Sequence, residues 1–159
     1  MSREAVIELA IRCLLVVLFL PFSALDKILD FRSAVAQARE VVPNEGLAIA
    51  LILAGLMVEI FASLGVVTGI ADRLAALVLG GYCIVTAIFW KQFWMPGDFW
   101  HPGASQGRVL FWDFLKNFSL SGGLLLITFG TSDGGIDRFL AHPFSSSEPY
   151  ASHLQIGPP

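Results

Sequence analysis

The 159-residue chain is 55% hydrophobic and only 14% charged, with a mean hydropathy of +0.71. A soluble domain carries about 25% charged residues, so the apolar side chains exceed what one small interior can hide, and lipid must be part of the solvent. The formal net charge of −3, with no basic run, excludes a nucleic-acid partner, and the length allows one domain.

Four apolar segments predict transmembrane helices over approximately 5–27, 47–70, 73–94 and 109–130. The first, Ala5 to Leu25, is read as a retained helix: Arg3 is offset by Glu4, and no A-x-A site follows. Pro21 frees the Val17 carbonyl and predicts a kink near the end of this helix. In the link Asp26 to Gly46, the apolar residues Phe31, Ala34, Val35, Ala38 and Val41 recur at helical spacing between Arg32, Gln37, Arg39 and Glu40. That pattern predicts a short amphipathic helix on the membrane surface, ended by Pro43-Asn44. The second segment, Leu47 to Ile70, carries one charge, Glu59, near its centre. Asp72-Arg73 is so short a link that the second and third helices must be antiparallel neighbours. The third helix is uncharged until Lys91. Prolines and glycines between Met95 and Arg108 predict an irregular loop. The fourth segment, Val109 to Gly130, holds Asp113, Lys116 and Asn117.

Period-2 alternation is absent, which argues against a β-barrel. The expected architecture is an all-α membrane fold: a four-transmembrane-helix antiparallel bundle, residues 1–140, with an interfacial helix between helices 1 and 2. A polar, flexible C-terminal tail, residues 141–159, follows. Both termini then lie on one side of the membrane. The count of basic residues leans toward the hairpin loops being cytoplasmic. Cys13 and Cys83 lie in apolar segments without CxxC spacing and read as packing residues.

A carboxylate at the bilayer midplane costs roughly 2.5–3.5 kcal/mol on insertion scales, so Glu59 needs an answering group. Its neighbours Gly55, Ala62 and Ser63 are small and turn it toward another helix. Lys116 on the fourth helix is the expected counter-charge by depth, with Asp113 and Asn117 beside it. Arg12, which can pair with Glu8 at i,i+4, is held in reserve. The four intramembrane charges Arg12, Glu59, Asp113 and Lys116 sum to zero, as a buried ion-pair network requires. Such a core is either a proton or ligand site or a polar lock that sets helix register.

Ten aromatic residues, including all four tryptophans, lie between Phe89 and Phe118. They read as an interfacial belt or as a quinone, lipid or partner face formed by Trp90, Trp94, Trp100, His101 and Trp112. No predicted membrane segment contains histidine, which excludes a haem held by two axial histidines. No cluster of His, Cys and carboxylates reads as a metal site. His142 and His153 fall in the tail.

The order of several short motifs resembles the DoxX family of small four-helix membrane proteins. These are Phe22-Ser23-Ala24-Leu25-Asp26-Lys27, Val58-Glu59, Leu64-Gly65-Val66-Val67-Thr68-Gly69, Arg73-Leu74-Ala75-Ala76-Leu77, Lys116-Asn117, Ser121-Gly122-Gly123-Leu124-Leu125 and Gly134-Gly135-Ile136-Asp137-Arg138. The resemblance runs from about Arg12 to Leu140. It departs at Ser23-Ala24, where the family often has Ser-Gly, and in the loop 95–107. It implies that Lys27, Glu59, Arg73, Lys116 and Asn117 occupy family-pattern positions. It also implies an association with quinone-linked membrane redox complexes, such as terminal oxidases and thiosulfate:quinone oxidoreductases, in a bacterial inner membrane. The expected function is therefore a non-catalytic subunit or anchor of such a complex, with quinone or lipid as ligand and other subunits or a second copy as partner. The alternative is a small homo-oligomeric transporter or channel using Glu59 and Lys116. A stand-alone enzyme is disfavoured because nothing supplies a nucleophile.

Overall fold

The computed structural model describes residues 2–130 and 133–151, and among these all regular structure is helical. Three helical stretches, Arg3–Leu29, Glu45–Thr68 and Asp72–Trp90, are long and apolar enough to cross a membrane.

The first stretch begins with α1 (Arg3–Val16), where Ser2 accepts the Ala5 amide at 3.1 Å. It breaks where the sequence predicts. Leu20 leaves helical geometry (φ −123°, ψ 114°) beside Pro21, inside a wide π-type turn over Leu18–Ser23. The helix then resumes as α2 (Ala24–Leu29). Asp30 caps α3 (Phe31–Arg39), the predicted amphipathic helix, by accepting the Ser33 amide. Its apolar face, Val35 and Ala38, is buried against Ala48 of α4 (Glu45–Met57). The link helix thus lies over the bundle rather than only on lipid.

Asn44 caps α4 through the Leu47 amide at 3.0 Å. A second wide turn, Val58–Ala62, carries Glu59 and leads into α5 (Ser63–Thr68). Gly69, at φ 78°, ends that helix in the left-handed conformation that glycine adopts at little cost. The tight connection to α6 (Asp72–Trp90) follows as expected from Asp72-Arg73. Gly65 is what lets α5 approach α6: a Cβ there would lie 2.8 Å from the Ala75 Cβ. Gly65→Ala should therefore push the two helices apart and lower the midpoint of thermal unfolding in detergent, while Gly81→Ala, with open space around it, should not.

The helix α7 (Gln106–Phe129) packs along α6, beginning three residues before the apolar segment that marked it. The central core joins Val16 and Phe19 to Val66, Leu79, Cys83 and Leu124. The structure adds a short helix, α8 (Gly135–Ala141). It also corrects the expectation of a loose tail over residues 142–151. Ser147 and Tyr150 are hydrogen-bonded to the bundle, and Pro149 packs on Gly69. Residues 152–159, with His153, lie outside the described residues.

Candidate functional site

Two buried ion pairs organise the chain, and neither is the pair expected from sequence. Glu59 is answered by Lys27. The Lys27 Nζ donates to Glu59 Oε1 at 2.7 Å and to Ser23 Oγ at 2.6 Å. Ser23 and Tyr82 hydroxyls each donate to the same oxygen at 2.9 Å. Glu59 is 1% exposed. Its other oxygen, Oε2, is buried with no hydrogen-bond partner among the described residues.

Both wide turns serve this arrangement. They pack against each other, one presenting Ser23 and the other Glu59. A π-type turn inserts one residue into the helical count and turns the following side chains off the regular 3.6 phase; such turns cluster at functional sites.

Lys116, the expected partner, lies elsewhere. Its side chain is 75% exposed and reaches only Asp113, at 3.2 Å, one turn back on α7. Asp113 also meets Lys91 at 3.5 Å. The Asn117 amide donates to the Asp113 carbonyl at 2.9 Å. Arg12 turns inward, but not to Glu59. It pairs with Glu8 at 2.8 Å and with Asp72 at 2.7 Å, and donates to the Val66 carbonyl at 2.7 Å. Asp72 is fully buried. Ser147 closes this second cluster, accepting from Arg12 at 2.8 Å while its own amide donates to Asp72 at 2.8 Å. Arg73 stands next to it in sequence; its carbonyl accepts from Thr128 at 3.1 Å, and its buried Nε has no partner among the described residues.

Beside Lys27 and Glu59 lies a cavity of about 330 Å³, at the lower end of the ~300–1,000 Å³ usual for ligand pockets. Lys27, Glu59, Tyr82, Thr86 and Asn117 supply polar groups to its wall, and Phe19, Ile52 and Trp90 supply apolar ones. Ala34, Gln37 and Ala38 of α3 roof it. The amphipathic link is thus part of the site. Leu18 and Leu51, on the rim, are 54% and 39% exposed. Among the described residues no group of three or more His, Cys, Asp or Glu could hold a metal ion.

Of the ten aromatic residues between Phe89 and Phe118, Trp90 alone lines this cavity. Phe89 packs on Trp90, and the other eight build a separate cluster around Phe93, whose ring meets Trp94, Phe111 and Phe114 at centroid distances of 5.0, 5.1 and 5.4 Å. Trp94, Trp100 and Trp112 are exposed on its outside, and so is His101. The loop below them is ordered by polar contacts. Arg108 donates to the carbonyls of Phe99, His101 and Gly103. Asp98 accepts the amides of Gln106 and Gly107, two free donors at the start of α7, at 2.7 and 2.8 Å.

The Gly107 amide above all, aided by Gln106 and Ser105, holds the Asp98 carboxyl below its ordinary value of 3.8. A carboxyl lowered on folding contributes stability that is present above its unfolded value and lost as pH falls through the folded one. Tryptophan emission from the loop should therefore stay constant from neutrality to pH 3.8 and change only below it. In Asp98→Ala the loop should already be loosened at pH 7.

Two residues of the main site escaped a reading by apolar segments. From sequence, Lys27 is marked only as a position that the family resemblance implies, and Tyr82 is not singled out at all. The i,i+4 spacing of Ser23 and Lys27 was the available signal.

Residues 7–92, just over half of the chain, match the family model described as DoxX. The match contains Arg12, Lys27, Glu59, Asp72 and Tyr82 and stops before Asp113, Lys116 and Asn117. No curated protein and no solved structure matches.

Proposed function

The chain belongs to the DoxX family, and on that premise we propose that it is a membrane-embedded, quinone-binding subunit of a redox complex. The observation that carries the reading is the buried Lys27–Glu59 pair beside a cavity with mixed polar and apolar walls. An intramembrane ionisable residue marks a functional site by default. A lock alone needs no adjacent cavity. The dimensions suit a small ring with polar substituents, and the exposed Leu18 and Leu51 offer a rim for an apolar chain. In this reading electron transfer is the work of a partner subunit, and this chain holds the quinone.

In this reading α7 is a fourth crossing. Its 24 residues extend about 36 Å at ~1.5 Å per residue, and the cationic Lys116 side chain reaches for headgroups along its apolar stem. The pairing order supports opposite chain directions for the first two stretches, since residue 12 meets 72 while 27 meets 59. Four crossings put both termini on one side, in a bacterial inner membrane. The transport alternative was framed around Glu59 and Lys116, and Lys116 now pairs with Asp113 instead.

The test is equilibrium binding of a decyl-chain benzoquinone to the chain in lipid nanodiscs. We expect saturable binding of one quinone per chain, abolished by Ala34→Trp, which fills the cavity from its α3 roof. Partition into the lipid alone, with no difference between wild type and Ala34→Trp, would overturn the proposal. Mass spectrometry of proteins co-purified in mild detergent should identify a stoichiometric redox partner.

A further inference from the structure

We propose that residues 135–144 form a membrane-surface clip whose partner is the lipid bilayer, with Ile136, Leu140 and Phe144 set among the acyl chains.

The helix α8 has three faces. Successive side chains turn by about 100° around a helix, so residues four apart share a face and their neighbours do not. Gly135 and Phe139 are buried against the bundle, and the Phe139 ring meets Phe129 of α7 at a centroid distance of 5.8 Å. One position on, Ile136 and Leu140 are 60% and 70% exposed. Asp137, Arg138 and Ala141 complete the circle, and they too are exposed. One face thus meets protein, one is apolar and open, and one is mainly polar and open. A helix wholly in water has no use for the second face. A helix lying in the headgroup plane beside a bundle needs all three: protein to one side, acyl chains below, water above.

The surroundings identify the occupant of the open apolar edge. Phe144 continues it, four residues past Leu140, and is 73% exposed. Its ring borders a groove lined only by apolar residues and glycine, among them Met57, Phe61, Ile70, Leu74 and Val78. These belong to the second and third spanning stretches and to the turn that joins them. Met57, Phe61, Ile70 and Val78 point outward, where a spanning helix meets lipid. The edge of α8 is therefore continuous with the lipid-facing surface of the bundle. Single exposed apolar residues are ordinary, but a contiguous set marks an interaction surface.

Beyond Phe144 the chain returns to protein. The Ser147 amide donates to Asp72 at 2.8 Å, and the Tyr150 hydroxyl donates to the Val67 carbonyl. Residues 145–151 are thus held between a lipid anchor before them and the bundle at their end. The bilayer thereby helps to keep Ser147 on the buried Arg12–Asp72 pair, and α8 sets that end of the bundle at headgroup depth. None of this depends on what fills the cavity beside Glu59.

The test is site-directed spin labelling of the full chain in phosphatidylcholine nanodiscs. Cys13→Ala removes the exposed native thiol, and Cys83, which is buried, stays in place. Labels are introduced singly through Ile136→Cys, Leu140→Cys and Phe144→Cys, and for comparison through Asp137→Cys, Arg138→Cys and Ala141→Cys. All six positions are exposed, so a label there replaces little packing. Collision with oxygen, which concentrates in lipid, is measured against collision with a water-soluble nickel chelate. The oxygen-to-nickel ratio should be at least fivefold higher at the first three positions than at the other three. Equal ratios would place α8 in water and overturn the proposal. Slow collision with both reagents at 136, 140 and 144 would mean that a second copy or another subunit covers the edge, and would overturn it equally.

Discussion

Arg12→Leu is expected to be the most destabilising single substitution in the chain, by about 3–5 kcal/mol. It leaves Asp72, fully buried, without its counter-charge, and it strips donors from the Val66 carbonyl and Ser147. The loss is specific to an uncompensated charge rather than to the volume removed. Arg12→Leu combined with Asp72→Leu should therefore recover much of it, since a buried pair replaced by apolar residues is often neutral. Thermal unfolding in mild detergent, with the double-mutant cycle completed, measures both numbers. A cycle in which the two substitutions simply add would show that the pair is not coupled. The same substitution should release residues 144–151, seen as faster proteolysis of the C-terminal segment before the bundle unfolds.

The second large effect is at Lys27. Lys27→Met should cost on the order of 3 kcal/mol, because Glu59 is then a buried carboxylate without its ion-pair partner. Lys116→Met should change stability by no more than about 0.5 kcal/mol, because its side chain is exposed on the outside of α7 and its one partner, Asp113, keeps Lys91. The comparison separates the two candidate partners of Glu59 directly. Equal losses, or a larger loss at Lys116, would contradict the geometry. Lys27→Met should also weaken quinone binding, whereas Lys116→Met should not.

The contrast between these lysines shows where reading by segments fails. Lys116 was favoured because it lies at the depth of Glu59 if both helices run straight and regular. They do not. The break at Leu18–Ser23 and the wide turn at Val58–Ala62 change the phase of the side chains that follow. The flexible stem of Lys27 bends back from beyond the apolar segment. Arg12 and Asp72 failed for a related reason. Asp72 looked like a turn residue, and a buried aspartate at a helix start is recognised only when the neighbouring helix delivers an arginine to it. Depth did hold a clue: Arg12 and the Asp72-Arg73 link belong to the same end of the bundle, whereas Glu59 lies nine residues before the end of its helical stretch at Thr68, roughly 14 Å at ~1.5 Å per residue.

What could be read from sequence alone is everything set by local periodicity and by the solvent. Apolar runs of spanning length, the Pro21 break, the amphipathic 31–39 helix and the tight turn at Asp72-Arg73 all follow from side-chain chemistry within one or two turns. The need for Glu59 to have a partner followed too, because a lone charge in hydrocarbon is costly wherever the helix stands. The identity of that partner was decided only by the tertiary structure. So were the second buried pair at Arg12 and Asp72, the docking of residues 144–151, and the cavity roofed by α3. Each depends on which faces meet across helices far apart in sequence. That is set by the summed packing of small residues such as Gly65, Ala76 and Gly80, a property of surfaces in contact and not of any one segment.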